Sequence, residues 1–290
     1  DKVFKDQPDH ERKRYVKARL QTSLGEVRRH HREYAMAEGL FLESTKTLRE
    51  LYASVADAEY GLELGASLNA LATLYLHDIK DPRHPTEEIR GLFEESIGVN
   101  REVMSKHRLG PWLYSISLEL LADMEITLKR YDAALALLEQ SLPIRQDMLD
   151  HGRDRLKNLR YLDDTYERLG KAYRGLGDVA NAASAMESSA KLMEEGASIE
   201  PTKSDWKRGQ ARALNSLARL YEENEMEQQS LMAKRRAVAV WSEVSQGFPT
   251  DRNILTDAAE AMRGLAGMLE DPAEREKVER ALGDLKAAEQ

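Results

Sequence analysis

A period of about 48 residues runs the length of this chain and narrows its fold more than any other feature. A leucine followed by a small residue recurs as Leu24-Gly25, Leu71-Ala72, Leu121-Ala122, Leu169-Gly170, Leu217-Ala218 and Leu265-Ala266. Successive leucines stand 47, 50, 48, 48 and 48 positions apart. Self-similarity at such a spacing is the mark of a structural repeat, in which each unit buries its apolar face only by stacking on its neighbours.

Other positions keep the same phase. Four after each leucine stand Arg28, Tyr75, Glu125, Tyr173, Tyr221 and Leu269. Thirteen after it come Ala37, Ala134, Ala182, Ser230 and Val278, while the second unit reaches its counterpart, Ile89, five residues late. Those five match Asp81-Pro82-Arg83-His84-Pro85, a proline-rich loop that cannot be helix. Next come Phe41, Phe93, Leu138, Met186, Lys234 and Leu282, and three beyond them Ser44, Ser96, Ser141, Ser189, Ala237 and Leu285. Offsets of 4 and 7 share one helix face, so each unit reads as two antiparallel helices of roughly 20 residues. Gly175-Leu176-Gly177-Asp178 supplies turn chemistry between the helices of the fourth unit. Gly110-Pro111, His151-Gly152, Gly196 to Pro201 and Gly247-Phe248-Pro249 separate units.

Leucine, small residue, Tyr four on and Ala thirteen on, then a large apolar and a small residue, resembles the tetratricopeptide repeat. Leu169, Gly170, Tyr173, Ala182 and Met186 carry the likeness best. Six degenerate copies cover the chain, with a period longer than the usual 34 or so. The resemblance implies an all-α, right-handed superhelical solenoid of about six helix pairs, approximately 12–58, 60–106, 111–151, 155–197, 204–248 and 251–290, forming a single domain over 1–290. It implies a protein- or peptide-binding scaffold whose concave face, lined by first helices, holds the ligand. The stretch Arg235 to Leu255 is also similar to long-period arrays of bacterial signalling proteins, often fused to kinases or NTPases. The sequence begins at Asp1 rather than methionine, which leaves room for a leader or a preceding domain.

The composition agrees. With 41% hydrophobic and 32% charged residues the chain has material for a core, and its wealth of Ala, Leu, Glu, Arg and Lys favours helix. Charges interrupt every apolar stretch well short of a membrane span. Zero cysteines exclude disulfides and thiolate chemistry but do not fix the compartment, for which the cytoplasm is the default expectation. A net charge of −8 argues against wholesale nucleic-acid binding. The basic run Arg12-Lys13-Arg14, Lys17, Arg19, Arg28, Arg29, Arg32 is interleaved with Glu11, Glu26 and Glu33 and reads as a solvated face.

Catalytic signatures are missing: there is no Walker loop, GxGxxG, HExxH or GxSxG. Ser188-Ser189-Ala190-Lys191 satisfies SxxK, but Ser189 occupies a repeat packing position. Adjacent His30 and His31 point about 100° apart on a helix and chelate poorly. The expectation is no enzyme, no catalytic residue, no metal and no cofactor.

A groove is the better candidate. If the likeness holds, groove positions lie two before and two after each leucine, flanked by one five before. They assign Asp164, Glu167 and Lys171 to the fourth unit and Arg212, Asn215 and Arg219 to the fifth, with Glu119 and Asp123 in the third. Arg208, Arg212, Asn215 and Arg219, spaced 4, 3 and 4, form one helical stripe. The ligand expected there is an acidic or phosphorylated segment, since guanidinium groups bind carboxylate and phosphate bidentately. The competing reading pairs the charges across helices, Glu167 with Arg212 for example. Thr22 and Glu26, Asn69 and Thr73, or Glu119 and Asp123 do not supply the lysine and asparagines of a chaperone clamp. The alternative function is a self-associating module whose terminal repeats build oligomers.

Overall fold

The computed structural model describes residues 8–79 and 86–289. The segment Asp81 to Pro85 lies outside them. Twelve α-helices and no strand occur among the described residues. They are α1 (Pro8–His30), α2 (Tyr34–Val55), α3 (Ala58–Thr73), α4 (Thr86–Val103), α5 (Gly110–Thr127), α6 (Tyr131–His151), α7 (Arg155–Leu176), α8 (Val179–Ile199), α9 (Ser204–Glu223), α10 (Glu227–Gly247), α11 (Arg252–Ala266) and α12 (Pro272–Glu289). A π-helical segment, Leu74–Ile79, continues α3. The chain divides into two compact units, residues 1–144 and 145–290.

Local chemistry sets the helix ends. Asp57, Asp154, Asp178 and Asp251 cap α3, α7, α8 and α11 by accepting backbone N–H bonds from the first turn. One closing turn recurs between first and second helices. The residue eight after the repeat leucine is left-handed in four pairs: Arg32 (φ 61°), Lys129 (φ 58°), Gly177 (φ 75°) and Glu225 (φ 58°). In each, the next N–H reaches back to the carbonyl four after the leucine: Glu33 to Arg28, Arg130 to Glu125, Asp178 to Tyr173 and Met226 to Tyr221, at 2.8–2.9 Å. Only Gly177 adopts that φ without a Cβ penalty. Lys129→Gly is therefore expected to raise stability by about 0.5–1 kcal/mol in urea unfolding, whereas Thr127→Gly in the last turn of α5 loses a similar amount. A Lys129→Gly protein no more stable than its parent would show the turn to be unstrained.

In the unit of residues 1–144, α2 packs on α1, and α3, α4 and α5 follow in succession. Ala37 and Phe41 of α2, Leu71 and Leu74 at the end of α3, Phe93 of α4 and Leu118 of α5 share one core, and Tyr15, Leu48, Leu64 and Leu68 share another. The small residue after the leucine earns its place at Gly25, where a Cβ would sit 2.5 Å from the Phe41 ring. In the unit of residues 145–290, α7, α8, α9 and α10 pack in order, with α11 on α10 and α12 on α11. Its cores centre on Ala182, Met186, Leu217 and Leu220, and on Trp241, Ile254 and Ala258.

The recurrent serine of the second helix is buried and bonds to the first helix of its own pair. Ser44 Oγ donates to the Ala18 carbonyl and Ser96 Oγ to that of Gly65, both at 2.9 Å. Ser141 Oγ reaches Glu119 Oε1 at 2.7 Å, and Ser189 Oγ reaches Asp163 Oδ1 at 2.6 Å. Each buried hydroxyl thereby gains a hydrogen-bond partner in the core.

Two expectations are corrected here. Leu24 is 43% exposed, unlike its buried counterparts, because α1 seats itself on α2 through Tyr15, Ala18, Thr22 and Gly25 instead. The positions two before the leucine are not groove positions in the first three pairs: Thr22, Asn69 and Glu119 are all buried, the last only 4% exposed against Ser141.

Candidate functional site

Four charged or amide side chains were expected on one stripe of α9, and the structure separates them. Every fourth or third residue of a helix shares a face, but neighbours decide which part of that face stays open. Arg212, Asn215 and Arg219 line a cleft of about 460 Å³ in the unit of residues 145–290, with Glu222 beyond them. Arg208 does not line it; its side chain is largely buried, 4.0 Å from Asp205 on its own helix. Asp164, Glu167 and Lys171 are exposed on α7 and are not among the cleft residues either. At the cleft the expected stripe thus reduces to Arg212 and Arg219 with Asn215 between them.

The facing wall comes from α11, which offers Asp257 and Glu260 and then Gly264, where a side chain is lacking. Arg212 Nη2 donates to Asp257 Oδ2 at 3.2 Å, so the arginine's carboxylate partner is Asp257, not Glu167. Arg174 of α7 makes the like contact one helix pair earlier, with Glu223 of α9. The same step recurs in the other unit, where Arg12 and Arg19 of α1 meet Glu59 and Glu63 of α3. A first helix gives the arginine and the next first helix gives the acid.

Between the walls lies α10. Lys234 occupies the place that Phe41, Phe93, Leu138 and Met186 fill in earlier pairs. Only 16% of its side chain is exposed; it pairs with Glu222 and its Nζ lies 3.4 Å from the Gly264 carbonyl oxygen. A cation with a flexible stem fills less of the inter-helix space than a ring does, and it needs its charge matched. Glu222 and the Gly264 carbonyl do this, and the cleft opens at the position where the repeat's large apolar residue is lost. Trp241, 1% exposed, lines the cleft from below, and its indole N–H has no hydrogen-bond partner among the described residues.

The charges are interleaved rather than basic throughout. Arg212 with Asp257 and Lys234 with Glu222 are matched pairs. Arg219 and Glu260 are exposed and take part in no ion pair among the described residues. Sequence reasoning missed Asp257, Glu260 and Lys234. Glu260 stands five before Leu265, the place Arg212 holds before Leu217, so extending the groove rule by one unit would have found it. Lys234 was visible as the one charged residue in the large-apolar series.

Chemically the arrangement suits binding. It offers a guanidinium, a carboxamide and a carboxylate at the rim of an open cleft. Among the described residues no three His, Cys, Asp or Glu side chains stand together as a metal set, and no helix is long and apolar enough to cross a membrane.

No protein-family profile matches this sequence, and no curated protein matches it. Solved structures do match in fold. The S. pombe nuclear import adaptor Nro1 is similar with a TM-score of 0.66 at 10% identity, covering 96% of this chain and 94% of that one. BtubC (BKLC) from P. vanneervenii is similar with a TM-score of 0.59 at 16% identity, covering 87% and 89%. A putative kinesin light chain from Podosopora anserina with nearly identical TPR-like repeats is 19% identical, with a TM-score of 0.47 over 79% of this chain and 98% of that one. At such identities the likeness speaks for the fold alone, and the fold is that of an all-α helical repeat protein of the tetratricopeptide type.

Proposed function

We propose that this chain is a binding scaffold, not an enzyme, and that it holds a protein or peptide segment in the cleft between α9 and α11. One observation carries the reading: Arg219, beside Asn215, stands exposed at the rim with no ion pair among the described residues, while the other two cations of the cleft are matched. An acidic or phosphorylated side chain meets the Arg219 guanidinium in a bidentate contact, which lysine cannot copy. Asn215 offers a donor and an acceptor to the segment's backbone. Glu260 on the opposite wall favours a basic residue in the same segment, so the ligand has mixed charge with an acidic anchor. The all-α repeat fold supports this reading, since stacked helix pairs leave extended first-helix surfaces free for partners.

Arg219→Glu tests it without disturbing a native pair. The variant should keep the parent's circular dichroism and melting temperature, because an exposed substitution costs within about half a kcal/mol. Its affinity for the natural partner captured from lysate should fall at least about tenfold, as expected when a bidentate charge contact turns repulsive. Capture of the same partner by the variant, with unchanged strength and salt dependence, would overturn the site.

A further inference from the structure

The cleft between α9 and α11 contains a hydrogen-bond donor that the fold leaves unused. Trp241 is 1% exposed and lines the cleft, and its indole N–H has no partner among the described residues. An indole N–H is a donor only, and a buried one normally finds an acceptor. Trp206, equally buried, does so: its Nε1 donates to Glu200 Oε2 at 3.0 Å. Trp241 stands 24 after the repeat leucine, a place that Leu48, Arg145 and Met193 hold in other pairs, so the packing of the repeat does not call for an indole there.

The α11 wall leaves room for a side chain from outside. Gly264 stands one before the repeat leucine, where the other five units carry Ser23, Ala70, Leu120, Arg168 and Ser216. Among the described residues, a Cβ at Gly264 would meet Lys234 Nζ alone, at 3.8 Å. Glycine inside a helix lowers stability relative to alanine, and neither a positive φ nor a close backbone neighbour requires one here. What it gives the cleft is access. The Gly264 carbonyl oxygen meets Lys234 Nζ at 3.4 Å, which is long for a hydrogen bond, and a carbonyl has a second lone pair to offer.

Charge decides what kind of acceptor fits the indole. The ionisable side chains of the cleft are Arg212, Arg219 and Lys234 against Glu222, Asp257 and Glu260, three of each sign. Asp257 and Glu222 already match Arg212 and Lys234, and Arg219 is exposed at the rim. An anion placed against buried Trp241 would therefore lack a counter-charge of its own. An ammonium offers the indole no acceptor, and an aliphatic side chain leaves the N–H unpaired. A primary carboxamide serves both sides, because its carbonyl accepts from Trp241 Nε1 while its NH2 donates to the Gly264 carbonyl or the Glu222 carboxylate. We infer that the cleft holds a subsite for a carboxamide side chain, asparagine or glutamine, lying between the acidic and basic anchors of the bound segment. This rests on the cleft being a segment-binding site and adds the residue that it selects.

Three blocked peptides test the subsite on the whole chain: acetyl-Glu-Gln-Lys-amide and its counterparts with Glu or Leu in the middle. Their titration is followed by the indole N–H resonances of the three tryptophans, the Trp241 signal being the one lost in Trp241→Phe. The glutamine peptide should move that signal downfield, as a new hydrogen bond does, and bind at least about fivefold more tightly than the other two. Gly264→Met, which puts a side chain into the open space, should abolish the shift without changing the circular dichroism. A glutamate peptide that binds as well or better would make the subsite one for an anion, and a leucine peptide that does so would make it apolar; either overturns the inference. So does a Trp241 signal that stays in place, or a glutamine peptide that fails to bind. Arg219→Glu separates this inference from the reading on which it rests. Three peptides that bind the parent alike and are all weakened by Arg219→Glu leave the segment site standing and remove the carboxamide subsite. A glutamine preference and shift that survive Arg219→Glu keep the subsite and remove the acidic anchor.

Discussion

Arg90→Ala is expected to cost about 3–5 kcal/mol of folding stability, several times the loss that follows truncation of an exposed arginine. Glu125 of α5 is fully buried, and Arg90 of α4 forms a direct ion pair with it. Burial lowers the guanidinium's pKa, but the hydrogen bond and charge of Glu125 outweigh that and hold it above its usual value. Removing the arginine leaves a carboxylate in a core of Leu121, Met124 and Phe93 with nothing to neutralise it. The pair is nonetheless poorly completed, since Glu125 Oε2 and Arg90 Nη2 find no hydrogen-bond partner among the described residues. Its presence is thus weak evidence of a gain over an apolar pair of the same volume. Arg90→Met combined with Glu125→Leu should accordingly return to within about 1 kcal/mol of the parent, or exceed it. Urea unfolding of the single and double variants at neutral pH decides the matter. A single variant within about 1 kcal/mol of the parent would show that water reaches Glu125.

That pair also marks where the repeat was legible and where it was not. The leucine, the small residue after it and the large apolar residue of the second helix announced the helix pairs because they answer to one steric demand, the close approach seen between Gly25 and Phe41. The place four after the leucine read as apolar in four units of six, and Glu125 broke it without any local sign of Arg90, 35 residues away. The exposed Leu24 was illegible for a related reason: its burial in other pairs depends on a preceding helix, and sequence phase alone does not say whether one is there.

The groove was half legible. Two-before and two-after positions work as surface on α7 and α9, where Glu167, Lys171 and Arg219 are exposed. The two-before position fails on α1, α3 and α5: Thr22 meets Ser44 of α2, Asn69 donates to Ser117 of α5 and Glu119 accepts from Ser141 of α6, so all three became buried hydrogen-bonding groups. Helical periodicity gives a residue's direction from the axis to within a fraction of a turn, which separates opposite faces but not adjacent ones. Cross-helix partners such as Asp257 lie 45 residues from Arg212 and enter only when the pairs stack.

The buried serine contacts lead to a pH-dependent expectation at Asp163. This side chain sits in the interior of the α7–α8 pair, bonded by Ser189 Oγ. Burial pushes its carboxyl up to about 7; the Ser189 hydrogen bond and Arg160 work against the rise, while Glu167 and Asp164 add to it. In the unfolded chain the same carboxyl titrates near 4. Below about pH 4 both states hold the proton and the site has no effect on stability. Between about 4 and 7 the unfolded chain has released it while the native chain keeps it, so stability falls as pH rises. Above about 7 the loss is complete, and at 1.36 kcal/mol per pH unit it reaches about 4 kcal/mol as an upper bound. Asparagine has the same shape, carries no charge and still accepts the Ser189 hydroxyl. Asp163→Asn should therefore be more stable than the parent by about 2–4 kcal/mol at pH 8, with the difference shrinking to within about 1 kcal/mol by pH 4.5. Asp164→Asn, next in the chain but exposed, should stay within about half a kcal/mol of the parent throughout. Urea midpoints at several pH values read this directly, and an Asp163→Asn protein less stable than its parent at pH 8 would mean that the ionised carboxylate is held by more than Ser189.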